Sequence, residues 1–104
     1  MIFRRSPFAE LVDRQLDLFA TDEAALLTEA TEADAAWTRA DRDESEELFG
    51  DYQLVVDALA ERLYDVRESY AATLDERTGD EYRAAFDRAA RKRFRDLAGL
   101  LDSD

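Results

Sequence analysis

With 104 residues and neither cysteine nor histidine, the chain excludes disulfide stapling, thiolate metal sites and the usual imidazole general base. Its 26 acidic residues against 14 basic give a formal charge of −12, and that field repels nucleic acid and anionic membranes, so neither is expected as a partner. Three glycines and one proline leave too little punctuation for hairpins, and no apolar run approaches the ~20 residues of a membrane span.

The expectation is one all-α domain over residues 1–104, soluble and cytoplasmic: a compact antiparallel four-helix bundle built around one long helix. Ser6 followed by Pro7 reads as the start of a first helix over 7–20, because serine can cap free amides and proline gives up an N–H that has no partner there. Phe8, Leu11, Val12, Leu16 and Phe19 form its apolar stripe. A second helix over 22–40, capped by Thr21 or Asp22, carries Leu26, Leu27, Ala30, Ala33 and Trp37. Ala40 to Glu47 is polar and reads as the connection to a third helix over 44–76.

That third helix carries the clearest pattern in the chain. Phe49, Tyr52, Val56, Leu59, Leu63, Val66 and Tyr70 fall on the a and d positions of successive heptads. Asp51, Asp57, Glu61, Asp65 and Glu68 fall on the outer positions, while Arg62 and Arg67 flank the seam. Such sorting belongs to a helix buried along one stripe and solvated on the other. Thr78 and Glu81 have capping-box spacing and open a fourth helix over 79–101, whose face is Tyr82, Phe86, Ala90, Phe94, Leu97 and Leu101.

Three constellations bear on function. Glu29 with Glu32 and Glu44 with Glu47 have the i, i+3 spacing of carboxylate metal ligands in bundles, but without histidine the ordinary explanation is a solvated acidic face. No catalytic, cofactor-binding or metal residue is therefore expected, and no cofactor. Arg88, Arg91, Lys92 and Arg95 share the side of the fourth helix opposite Phe86, Ala90 and Phe94. They read either as a docking stripe for an acidic surface or phosphate, or as cations facing water where the helix dipole favours them. If the stripe docks, the acidic segment Asp22 to Glu47 is its obvious partner, within the chain or from a second copy. Finally, Tyr52, Leu54 and Val55 make the front of the third helix apolar nearly all round, which points to self-association, most simply a two-fold dimer. The expected activity is binding, as an interaction or assembly protein; the alternative is a small carboxylate-based enzyme or metal carrier.

Overall fold

Four stretches of helix-favouring residues become four helices in the computed structural model, which describes residues 7–97 and 99–101: α1 (Ala9–Asp22), α2 (Ala24–Arg39), α3 (Arg42–Ala71) and α4 (Glu76–Arg93). The fold is all-α, a four-helix bundle organised around the 30-residue α3.

The ends of the helices differ from the expected ones, for reasons of local hydrogen bonding. Ser6 lies outside the described residues, and Phe8 stands at the N-terminal boundary of α1, where its side chain does not cap the helix amides. The Thr21 hydroxyl donates back to the Asp17 carbonyl at 3.2 Å, so it stays inside α1 and does not cap α2. Nor does Asp22, which is the last residue of α1; only Glu23, at φ −108° and ψ 26°, separates the two helices. α3 starts at Arg42 because the Asp41 carboxylate accepts the Glu44 amide at 3.0 Å. It stops at Ala71, where the Thr73 and Leu74 amides fold back onto the Tyr70 and Ala71 carbonyls at 2.9 and 3.0 Å. α4 then opens on Asp75, whose carboxylate accepts the Thr78 amide at 2.8 Å, ahead of the expected capping box. It closes at Arg93, short of the expected 101, and the chain turns through Gly99 at φ +87°, a conformation that glycine adopts without a steric penalty. That turn returns Leu100 to the core at 2% exposure.

Residue pairings define the topology. Trp37 of α2 stacks on Tyr52 at 5.8 Å and meets Phe49 at 4.8 Å, Glu23 pairs with Arg62 at 2.6 Å, and Gln15 of α1 lies beside Val66 and Tyr70. α1 and α2 thus act as one broken rod running antiparallel along α3, with α2 on its first half and α1 on its second. α4 also runs antiparallel to that second half, since Tyr82 meets Tyr70 at 4.7 Å and Asp87 meets Arg67 at 2.8 Å. α4 runs parallel to α1, as Phe8 against Tyr82 and Phe19 against Phe94 show, at 5.5 and 5.8 Å.

The consequence is a three-helix body of α1, α4 and the second half of α3, from which α2 and the first half of α3 project as a two-helix arm. The principal extents are 51 × 33 × 25 Å and the radius of gyration is 15.8 Å, against about 13 Å for a compact chain of this length. Most of the core lies in the body: Val12, Leu16, Phe19, Leu59, Leu63, Tyr82, Phe86, Ala90 and Leu100 are buried there, and Ala30, Tyr52 and Val56 in the arm. The seam is dry from Tyr52 to Leu63, while Val66 and Tyr70 are half-buried. Phe49 departs from it at 41% exposure. Helical spacing puts Phe49 on the face of α3 that carries Val56, Ala60, Leu63 and Arg67; Val56 on that face is buried in the arm, whereas Phe49, nearer the tip, is covered by Trp37 on one side only. Among the described residues no helix is long and apolar enough to cross a membrane.

Candidate functional site

The most extensive polar structure among the described residues is an ion-pair cluster between α3 and α4. Arg67 sits on the flank of the seam, so its guanidinium emerges at the α3–α4 boundary. There Nη1 donates to Asp87 Oδ1 and Oδ2 at 2.8 and 3.0 Å, and Nε donates to Glu68 Oε2 at 2.8 Å. Arg83 joins from α4, with Nε and Nη2 donating to the two Glu68 oxygens and Nη1 donating to Asp80. Burial works against the Arg67 charge, yet the Asp87 and Glu68 carboxylates hold its pKa above the ordinary arginine value. The Tyr64 ring lies under the same guanidinium, 5.2 Å from its carbon. Each group is consumed by a neighbour of opposite charge, so the cluster is a latch between helices. The sequence shows Arg67 on the flank of the seam, but nothing in the spacing names Asp87 or Glu68 as its partners.

Beside the latch, a cleft of about 340 Å³ has Leu63, Phe86 and Leu100 among its lining, with Tyr64, Asp87 and Arg91. It holds no nucleophile paired with a base. Tyr82 donates its hydroxyl to Gln15 at 2.7 Å, and burial raises its pKa, which leaves it a neutral, structural group. Glu29, Glu32, Glu44 and Glu47 are all exposed, and among the described residues no three potential ligands converge on a metal site.

The four residues of the basic stripe, Arg88, Arg91, Lys92 and Arg95, are exposed on the outer side of α4 and its C-terminal turn, with Arg91 at the edge of the cleft. None of them makes an ion pair among the described residues. Arg62, Arg67, Arg83 and Arg93, by contrast, hold Glu23, Asp87, Glu68 and Asp17 respectively.

The apolar trio on the front of α3 is divided. Tyr52 is 2% exposed and packs under Trp37, so it belongs to the chain's own core and presents no surface to a partner. Val55 is half-buried against that core, and Leu54 stands out at 70% exposure. The heptad already assigns Tyr52 to the seam; counting it with Leu54 treats sequence neighbours as spatial ones, although adjacent helix positions point 100° apart. Sequence reasoning does not single out Phe49 as exposed, because that depends on how much of its ring Trp37 of α2 covers.

Compared with known proteins, the chain matches no protein-family model, no curated protein and no solved structure.

Proposed function

We propose that this protein acts by binding, as an interaction or assembly module, and that it self-associates as a two-fold dimer through its arm. The observation that carries the reading is Phe49, an aromatic of the arm left 41% exposed although Trp37 packs on it, with Leu54 at 70% exposure on the same half of α3. Helices in water draw most of their stability from tertiary packing. The arm has two helices and only Ala30, Tyr52 and Val56 buried, so a second copy supplies the contacts that α4 gives the body. Nucleic acid and membrane have no place in this reading, given the −12 charge. A cytoplasmic location suits a chain without cysteine.

Light scattering at micromolar concentration tests it. The expected mass is twice 11.9 kDa, and Phe49→Glu should shift the molecule toward monomer while keeping its helical circular dichroism. A monomer mass for the wild-type chain at all accessible concentrations overturns the reading.

A further inference from the structure

We infer that the basic stripe on α4 is the receptor for the acidic tip of the arm of a second copy. The inference rests on the self-association proposed above and names the surfaces that meet. It starts from two unmatched charged surfaces in one molecule. Arg88, Arg91, Lys92 and Arg95 are exposed and make no ion pair among the described residues, although four arginines elsewhere in the body each hold a carboxylate. At the tip, Asp41, Asp43, Glu44, Glu46 and Glu47 outnumber Arg39 and Arg42; all five carboxylates are exposed and make no ion pair among the described residues.

The two surfaces cannot meet within one chain. α4 is antiparallel to α3 and its last turns lie beside Ala60, whereas the tip is at Arg42, at the far end of the arm. At 1.5 Å per residue that distance is roughly 27 Å, well beyond the ~10 Å over which exposed charges act at 0.1 M salt. Two copies resolve the separation. If two arms lie antiparallel about a two-fold axis near their midpoints, each tip reaches the other copy's α4 end, and the two Phe49 side chains flank the axis. The contact is isologous and closes at two subunits. Opposite charges at its ends fix the antiparallel register, because a parallel pairing brings acidic tip onto acidic tip.

The test measures the dimer dissociation constant by analytical ultracentrifugation at about 0.05 M and about 1 M salt. The wild-type chain should weaken as salt rises. The variant R88Q/R91Q/R95Q should bind itself about tenfold more weakly at low salt, keep its helicity, and lose most of the salt dependence. A stripe of reversed sign, R88E/R91E/R95E, and a tip of reversed sign, E46K/E47K, should each associate poorly alone and recover a mixed dimer when combined. If the glutamine variant retains the wild-type constant at every salt, or the reversed pair fails to recover association, the stripe is a solvated helix face and the inference is overturned while dimerisation stands. A wild-type monomer overturns both. Wild-type retardation of DNA or RNA at low salt, abolished in the glutamine variant, assigns the stripe to phosphate instead and also overturns the inference.

Discussion

Arg83 grips Glu68 with two hydrogen bonds, Nε donating to Oε2 at 2.9 Å and Nη2 donating to Oε1 at 3.0 Å. This planar, two-pronged pairing fixes both distance and orientation, which a lysine at the same place cannot do. It joins the second turn of α4 to the last turns of α3, and Arg67 extends it to Asp87.

The latch sets an acid limit on stability. Arg83 first, and Arg67 after it, hold the Glu68 carboxyl below the usual carboxylate range, although burial pulls the other way. A depressed folded pKa means that the stabilisation is complete above the unfolded value of about 4.3 and is lost as pH falls through the folded value. Glu68→Gln should therefore cost ~1–2 kcal/mol at pH 7, and the gap between wild type and variant should begin to close only as pH falls below about 4. Denaturant melts across pH 2 to 7 check this; a gap independent of pH shows that the ion pair is not its source.

Leu63 is 1% exposed at the point where α3 meets α4 beside Phe86. Leu63→Ala should cost ~2–5 kcal/mol, the transfer term plus the cavity left in a close-packed core. Leu54→Ala, at 70% exposure, should stay within about 0.5 kcal/mol when measured on the monomer. The contrast between these two leucines of one helix is readable from urea midpoints.

Two glycines sit inside helices without needing to be glycine. A methyl group at Gly50 meets nothing within 4 Å, and one at Gly79 lies 3.5 Å from the Ala71 carbonyl oxygen and 3.6 Å from Arg83 Nη1, ordinary contact distances. Gly50→Ala and Gly79→Ala should each stabilise the protein by about 0.5–1 kcal/mol. Thermal melts decide it, and a loss at Gly79 shows that α4 packs closer to Ala71 than those distances allow.

The start of α4 distinguishes two capping residues. Because Asp75 accepts the Thr78 amide, and that bond helps hold its carboxyl below the ordinary range, Asp75→Ala should speed hydrogen exchange at the Thr78 amide. Thr78→Ala should leave the fold of the first turn in place. The reverse pattern restores the capping box of Thr78 and Glu81.

How far the sequence reaches is visible in these same residues. The heptad from Tyr52 to Leu63 names the buried seam correctly, since periodicity is a direct record of which face meets other helices. Helix ends are less legible: Asp75 and Thr78 are both good caps, and the choice depends on where the preceding chain turns, through the Thr73 and Leu74 amides. The course of α2 is not legible at all. Spacing shows an apolar stripe but not whether α2 folds back beside α1 or carries on along α3, which the single residue Glu23 decides. The surfaces follow the same rule. Arg88, Arg91, Lys92 and Arg95 can be placed on one face by counting, whereas the exposure of Phe49 follows from how far Trp37 of a different helix covers it.

The break at Glu23 also divides the chain into segments of unequal depth. α1 gives Val12, Leu16 and Phe19 to the interior, and α2 gives only Ala30. Amides of α2 and of the first turns of α3 should consequently exchange through a partial opening that spares the rest, while those around Leu63 and Phe86 wait for global unfolding. In the proposed dimer, the outer half would then be undone and rebuilt against a neighbour without melting its foundation. Protection in α2 should then rise with protein concentration, while protection around Phe86 stays constant.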